Sequence, residues 1–196
     1  MTRWEELEQL RERARARGIP VARPQTFRLL LDTVRSLNPE RILEIGTAVG
    51  CSAAGMLLAA PRARLTGIEL QEDCCREARE NLAALGCAER ALIHNGDASE
   101  IIPVLSGTYD FIFLDGPKGH YFEYLSFLKP LLPKGGVLFA DNVSFFGYAD
   151  GERKAPRRHN TIVHSLMRFV EALKNDGEME TSVVAVEDGV LIAKKR

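Results

Sequence analysis

Two hydrophobic runs of the chain end in an acidic residue, and the second is followed by asparagine. Residues 109–114 lead into Asp115, and residues 135–140 lead into Asp141 and Asn142. If both runs are buried parallel strands lying side by side, these three side chains meet at one edge of a sheet, where open α/β sheets bind ligands. Carboxylate and amide oxygens are the hard donors that Mg²⁺ prefers. The pattern therefore predicts a site for Mg²⁺ or a similar divalent cation, and an enzyme.

The elements that position these residues follow from hydrophobic periodicity. Strand-like and helix-like segments alternate over residues 41–140, which predicts an α/β fold with a parallel sheet covered by helices on both faces. Asp188 and Gly189 separate two β-branched runs, which indicates a hairpin and an antiparallel edge of the sheet. We expect helices at 3–17, 24–36, 51–60, 72–85, 99–105, 120–131 and 161–174, and strands at 41–45, 64–69, 91–94, 109–114, 136–140, 181–186 and 190–193.

Composition predicts an ordinary globular protein. The chain has 196 residues, 45% of them hydrophobic and 27% charged, with a net charge of -1. We expect one domain over 1–196, with N-terminal helices at 1–37 and a core at 38–196. The four cysteines show no metal-ligand spacing, and no apolar run approaches membrane-spanning length. We therefore expect no membrane partner and a cytoplasmic location.

Local charge is less even than the net charge suggests. Arg157 and Arg158 belong to a basic cluster over residues 153–159, and arginines also crowd residues 11–17. Two interpretations stay open: solvated surfaces without a partner, or surfaces that attract phosphate groups.

The ends of the earlier predicted strands carry residues suited to a nucleoside ligand. Gly46 and Gly50 lie in the turn after the first strand and let the backbone approach a ligand closely. Glu69 ends the second strand, where a carboxylate can accept hydrogen bonds from ribose hydroxyls. Asp97 follows the third strand and can contact an adenine or cap the next helix. The glycine spacing is not that of a dinucleotide site, which disfavours a nicotinamide dehydrogenase.

These motifs resemble the class I S-adenosylmethionine-dependent methyltransferases, and among them the metal-dependent O-methyltransferases of the catechol and caffeoyl-CoA type. The resemblance covers about residues 20–196. It rests on Leu43-Glu44-Ile45-Gly46-Thr47, Glu69, Gly96-Asp97-Ala98, Phe113-Leu114-Asp115-Gly116-Pro117-Lys118 and Ala140-Asp141-Asn142-Val143.

The resemblance implies a Rossmann-like fold with a seven-stranded, mostly parallel sheet whose last strand is antiparallel. It implies S-adenosylmethionine as the cofactor, a divalent cation held by Asp115, Asp141 and Asn142, and Lys118 as a general base beside Asp115 in the catalytic site. The implied cofactor-binding residues are Glu44, Gly46, Thr47, Ser52, Glu69, Asp97, Ala98 and Asp115.

Within this group the chain is most similar to bacterial tRNA 5-hydroxyuridine methyltransferases. Shared features are its short length, the segment Asp141-Asn142-Val143, the basic loop before the last helix, and the ending Val186-Glu187-Asp188-Gly189 with a basic tail. Two features depart from the family pattern: Cys51 stands where an aromatic residue is common, and Gly116-Pro117 replaces the usual Ala-Ala or bulkier pair. Relatives are commonly dimers, so we expect a homodimer.

The expected activity is methylation of the 5-hydroxyl of a tRNA wobble 5-hydroxyuridine, which offers two adjacent oxygens to a cation. Phe145 and Tyr148 are expected to stack on the acceptor ring, and Arg157 and Arg158 to meet the RNA backbone. A small catechol-like phenol is an alternative acceptor. An alternative of another class is a non-catalytic RNA-binding protein on the same fold.

Overall fold

The computed structural model describes residues 1–149, 151 and 155–196, so Arg153 and Lys154 of the basic cluster lie outside the described residues. The chain forms two compact units, Met1–Ile101 and Ile102–Arg196. In the part of the chain described, no helix has the length and apolar character needed to cross a membrane.

The first unit contains five helices and three strands among its residues. The strands are parallel in the order β3-β2-β1, and Glu44 of β1 pairs with Gly67 of β2. The elements are α1 (Arg3–Ala16), α2 (Pro24–Leu37), β1 (Arg41–Ile45), α3 (Cys51–Ala59), β2 (Arg64–Glu69), α4 (Glu72–Ala84), β3 (Ala91–Asn95) and α5 (Ala98–Ile101), with a short 3-10 turn at 88–90.

The turn between β1 and α3 is shaped by close packing of the backbone. Gly50 has a left-handed φ of 84°, and a Cβ atom there would lie 3.3 Å from Ala78 of α4. The side chain of Asn81, also in α4, donates a hydrogen bond to the carbonyl of Val49 at 2.9 Å. Glycine is therefore needed at position 50 both for its conformation and for the approach of α4.

The second unit contains the remaining strands in the order β4-β5-β7-β6. Strands β4 and β5 are parallel, whereas β7 is antiparallel to both β5 and β6. The elements are β4 (Phe111–Leu114), α6 (Tyr121–Leu131), β5 (Val137–Asp141), α7 (Asn160–Lys174), β6 (Met179–Val184) and β7 (Val190–Lys195), with 3-10 turns at 102–104, 118–120 and 157–159.

The predicted fold class is confirmed: the sheet has seven strands, mostly parallel, with an antiparallel last strand. The predicted bounds of β6 were wrong by two residues at each end. That strand begins at Met179, which is buried and pairs with Lys195, so β7 also runs further than predicted. Residues 185–189 form a longer turn than a two-residue hairpin loop would make.

Candidate active site

The two acidic residues at the strand ends lie on neighbouring parallel strands, as predicted. Leu114 of β4 pairs with Ala140 of β5, so Asp115 directly follows one strand and Asp141 ends the other. Both strands are fully buried over their hydrophobic residues. The hydrophobic core therefore fixes the backbone from which both carboxylates project.

Asp141 is a buried carboxyl group beside another acid. Its exposed fraction is 2%. Burial, and then the charge of Asp115, raise its pKa to about 7, although the backbone N–H of Asn142 and the ammonium of Lys118 act in the opposite direction. That N–H donates to Oδ1 of Asp141 at 2.7 Å. A cation near this group would relieve the cost of ionising it.

Lys118 pairs with Asp115 at the start of the 3-10 turn 118–120. Its Nζ lies 2.9 Å from Oδ1 of Asp115 and 3.4 Å from the carbonyl oxygen of Gly116. The side chains of Lys118 and Asp115 are 20% and 24% exposed, so the pair is partly shielded from water. The predicted base and the predicted metal ligand are thus in direct contact.

Tyr121 ties the two strand ends together. Its hydroxyl donates to the carbonyl oxygen of Leu114 at 3.0 Å and also lies 3.3 Å from that of Asp141. Burial, followed by the charges of Asp115 and Asp141, raises the pKa of this phenol well above its ordinary value, so it keeps its proton. The hydroxyl of Tyr121 therefore links the backbone at the end of β4 to the backbone at the end of β5.

Asn142 begins a loop, residues 142–149, whose backbone is unusual. Asn142, Phe145 and Phe146 all have left-handed φ values, of 58°, 46° and 60°. Asparagine tolerates this conformation, whereas it is uncommon for phenylalanine. The loop therefore needs contacts that hold it in place.

An aromatic cluster lies on this loop and on the turn before α7. Phe145 is 6.1 Å from Tyr148 and 5.4 Å from His159, measured between ring centroids, and Tyr148 is 6.0 Å from His159. Phe146 completes the cluster at 5.3 Å from Phe145, and its side chain is exposed. Phe145 and Tyr148 are therefore neighbours, as their predicted shared role requires.

The predicted basic residues lie next to this cluster. Arg157 and Arg158 are exposed on the 3-10 turn 157–159. Arg158 Nε donates to Nε2 of His159 at 3.1 Å, which joins the positive charge to the aromatic cluster. Aromatic faces beside guanidinium groups are a common surface for binding nucleotides.

The first unit holds the predicted residues of the cofactor site other than Asp115, which belongs to the second unit. Both carboxylate oxygens of Glu69 accept backbone N–H groups, Oε2 from Ala48 at 2.8 Å and Oε1 from Gln71 at 2.9 Å. Each oxygen keeps a further lone pair for another donor. Ala48 has a left-handed φ of 46°, which aims its N–H at Glu69.

The turn after β1 is fixed by a buried acid. Glu44 is fully buried and accepts a hydrogen bond from the hydroxyl of Ser52. Gly46, with a φ of 91°, and Thr47 both donate their N–H groups to the carbonyl of Ile68, at 2.9 and 3.2 Å. These hydrogen bonds hold the turn after β1 together. The carboxylate of Glu44 is buried and stabilises this turn through its hydrogen bond with Ser52.

Asp97 occupies the start of α5. Its Oδ1 accepts from the backbone N–H and the hydroxyl of Ser99, at 2.8 and 2.7 Å, which is the capping alternative considered for it. Ala98 is buried directly behind it. The contact of Asp97 with an adenine stays a prediction, as does the contribution of Asp115 to the cofactor site.

Sequence reasoning missed two residues of the second unit. His159 was not among the predicted site residues; it is the residue that precedes α7, and its ring belongs to the aromatic cluster. Asp188 was read only as a hairpin residue, but its carboxylate accepts the N–H of Phe146. The Asp-Gly pair signals the turn, whereas no sequence pattern shows which loop the turn will contact.

Within residues 1–149, 151 and 155–196, no group of three or more His, Cys, Asp or Glu side chains is arranged to hold a metal ion. The predicted ligand set has two carboxylates, so it depends on the amide of Asn142 as its third member.

Comparison with known proteins identifies the family. Residues 4–196 match the family model described as O-methyltransferase. The chain belongs to the O-methyltransferase family. Its relatives include a probable caffeoyl-CoA O-methyltransferase 3 from Dictyostelium discoideum, 29% identical over 88% of this chain and 74% of that protein. Catechol O-methyltransferase B from Danio rerio is 37% identical over 62% of this chain and 49% of that protein.

Solved structures agree with this membership. A putative caffeoyl-CoA O-methyltransferase from Staphylococcus aureus superposes on this O-methyltransferase with a TM-score of 0.87 and 29% identity, covering 97% of this chain and 92% of the other. The O-methyltransferase TomG from Streptomyces achromogenes, in complex with SAM, gives a TM-score of 0.84 and 28% identity, covering 97% and 89%. The resemblance to the catechol and caffeoyl-CoA type is thereby confirmed, whereas the similarity to tRNA methyltransferases stays a prediction.

Proposed function

We propose that this enzyme methylates the 5-hydroxyl of a wobble 5-hydroxyuridine in tRNA, with a divalent cation held by Asp115, Asp141 and Asn142. Its class is established: it is an S-adenosylmethionine-dependent O-methyltransferase of the caffeoyl-CoA and catechol type. This class sets aside the non-catalytic alternative. The observation that carries the proposal is the buried Asp141 beside the partly buried Asp115, in a unit that also presents aromatic rings beside exposed arginines.

The chemistry of the donor set fits a divalent cation. Burial, and then the charge of Asp115, raise the pKa of Asp141, and a positive charge at that place offsets both effects. A bound divalent cation lowers the pKa of an acceptor hydroxyl and orients it. Asp115, Asp141 and Asn142 are the residues that would hold it, because carboxylate and amide oxygens are its preferred ligands.

Lys118 is the group proposed to take the acceptor's proton. Its Nζ is held at 2.9 Å from Asp115, a residue that would also hold the proposed cation. A neutral Nζ has a lone pair that can accept the proton of the acceptor hydroxyl.

The first unit supplies the proposed cofactor contacts. S-adenosylmethionine carries its methyl group on a positively charged sulfonium. Glu69 is preset to accept hydrogen bonds from the ribose hydroxyls, because backbone N–H groups fix both of its oxygens. The turn around Gly46 lets backbone approach the cofactor without a Cβ atom. Thr47, Ser52, Asp97 and Ala98 are proposed to line the rest of the site.

The proposed acceptor follows from the chemistry of the second unit. A 5-hydroxyuracil ring has a flat face for stacking and two adjacent oxygens, O4 and O5. Phe145 and Tyr148 offer aromatic faces, and Arg157 and Arg158 offer exposed charge for the flanking phosphates. Single-stranded RNA loops are recognised by this combination of stacking and charge.

A small catechol-like phenol is the second candidate acceptor. It is supported by the catechol O-methyltransferase of Danio rerio among the relatives. A catechol also presents two adjacent oxygens and an aromatic face, but it does not require the exposed arginines.

The deciding experiment offers both acceptors to the purified protein. It is incubated with methyl-labelled S-adenosylmethionine, Mg²⁺, and either tRNA carrying unmethylated 5-hydroxyuridine or a panel of catechols, with and without a chelator. We expect labelled tRNA and loss of labelling with the chelator. Labelling of catechols alone would favour the second candidate, and labelling that resists the chelator would contradict the proposed cation.

A charge-matched pair of variants tests the RNA surface. Arg157 and Arg158 are replaced together by Ala, and Arg62 and Arg64, exposed in the first unit, serve as the control pair. Two phosphate contacts contribute a salt slope of about 2, so we expect the first variant to bind tRNA roughly tenfold or more weakly at low salt. Equal tRNA affinity for both variants would contradict this role for the two arginines.

The single domain over 1–196, the homodimer and the cytoplasmic location remain predictions of the sequence.

A further inference from the structure

We propose that Asp188 is a positioning residue for methyl transfer: its carboxylate fixes the loop 142–149, and through that loop it sets the places of Asn142 and of the aromatic cluster. This inference rests on the proposed function, because it assigns a role relative to the proposed cation ligand and acceptor site. Asp188 lies in the turn between β6 and β7, far along the chain from the residues that it holds.

The location of Asp188 is not explained by a role in its own turn. An aspartate in a hairpin turn commonly stays in solvent and bonds to nearby backbone. Asp188 is instead 6% exposed, and its Oδ1 accepts the N–H of Phe146 at 2.6 Å. Its partner is 42 residues away in the sequence, on a different loop. The carboxylate therefore acts between two segments.

The bonded N–H belongs to the most constrained part of the loop. Phe145 and Phe146 are consecutive residues with left-handed backbone, a conformation that costs each about 1 kcal/mol or more relative to an ordinary one. Such a conformation persists only when the surroundings hold it. A hydrogen bond to a charged acceptor is among the stronger single contacts available for this purpose.

Backbone contacts extend the same attachment toward Asn142. The N–H of Val143 donates to the carbonyl of Gly189, and that of Ser144 to the carbonyl of Asp188, both at 3.0 Å. Gly189 allows this approach, because a Cβ atom there would overlap the hydroxyl of Ser144. The hairpin turn thus contacts the loop from residue 143 to residue 146, just after the proposed cation ligand.

The aromatic cluster lies directly beyond this attachment. Phe145 precedes the bonded N–H and contacts both Tyr148 and His159. If the carboxylate at position 188 is lost, the backbone at Phe145 and Phe146 is free to return to a more common conformation. Both proposed stacking residues would then move relative to the acidic pair.

The test compares Asp188→Ala and Asp188→Asn with the control Glu187→Gln, which changes an exposed carboxylate in the same turn. Asparagine keeps an oxygen that can accept the N–H of Phe146, whereas alanine does not. For whichever acceptor the wild type labels, we expect Asp188→Ala to raise KM for the acceptor about tenfold or more, because a small misplacement of bound groups is costly. In the same Asp188→Ala variant, KM for S-adenosylmethionine should stay within about twofold of the wild-type value. For Asp188→Asn, KM for the acceptor should stay within about threefold of the wild-type value.

Equal acceptor KM for Asp188→Ala and Glu187→Gln would overturn the inference, and so would an equal rise in KM for both substrates. Hydrogen exchange of the Phe146 amide in the wild type keeps the test independent of variant folding. A protected amide supports the attachment, and rapid exchange overturns it. Failure of the proposed function is recognised separately, as a wild type that labels neither tRNA nor catechols.

Discussion

Replacing Asp141 with asparagine is expected to stabilise the metal-free protein at alkaline pH while it strongly lowers the rate of methyl transfer. Burial and the charge of Asp115 raise the pKa of Asp141 from 3.8 to about 7. A raised carboxyl pKa means that the folded state holds its proton more tightly than the unfolded chain does, so stability falls as pH rises between those values. Asparagine has no proton to lose, so the variant escapes this cost.

The size of the effect follows from the same two pKa values. Each pKa unit corresponds to about 1.4 kcal/mol, so the full cost above pH 7 is at most about 4 kcal/mol. At pH 4.5 most of that cost is absent, leaving about 1 kcal/mol. For a chain of this length 1 kcal/mol moves the melting temperature by about 2–4 °C, so the variant should melt roughly 10 °C above wild type at pH 8.

Thermal unfolding followed by circular dichroism, with a chelator at pH 4.5 and pH 8, measures this difference directly. Asp73→Asn is the matched control, because that carboxylate is largely exposed and should show no such pH-dependent gain. Added Mg²⁺ should stabilise the wild type much more than Asp141→Asn, since asparagine keeps an oxygen donor but loses the negative charge that attracts a divalent cation. Equal melting of wild type and Asp141→Asn at pH 8 in chelator would refute the electrostatic argument.

Two further substitutions test the proposed base and the proposed ribose contact. Lys118→Ala should lower kcat by about 10²–10⁴, the usual contribution of a positioned base, with S-adenosylmethionine affinity kept; near-normal turnover across the pH range would remove Lys118 from that role. Glu69→Gln should weaken S-adenosylmethionine binding about tenfold by calorimetry, because hydrogen bonds to a charged acceptor are worth about 1.5–3 kcal/mol and the amide also meets a backbone N–H unfavourably. Unchanged affinity for the cofactor would mean that Glu69 only shapes the turn at Ala48.

Much of the fold was predictable because its signals are local. Buried strands such as β4 and β5 are continuous hydrophobic runs, and the acidic residues at their ends needed only parallel pairing to come together. The hairpin was also predicted, because Asp188 and Gly189 separate two β-branched runs. The bounds of β6 were less predictable, because Met179 is drawn into the sheet by its partner Lys195.

The parts of the candidate site that escaped prediction depend on contacts between distant segments. The ring of His159 contacts the ring of Phe145 because of the path that the loop 142–149 takes, and hydrophobic periodicity does not predict the path of a loop. Asp188 is buried where its carboxylate contacts the backbone of the same loop, so its burial was equally hard to predict.

The left-handed backbone at Asn142, Phe145 and Phe146 has a practical consequence for anyone who wishes to retarget this enzyme. Insertions or deletions between these positions would move residues with side chains into torsion angles that few amino acids accept. A library aimed at new acceptors should therefore keep the length of this segment and vary only the ring at Tyr148 and its neighbours. Glycine, and to a lesser degree asparagine, would relax the main chain at position 146, at the expense of the aromatic surface.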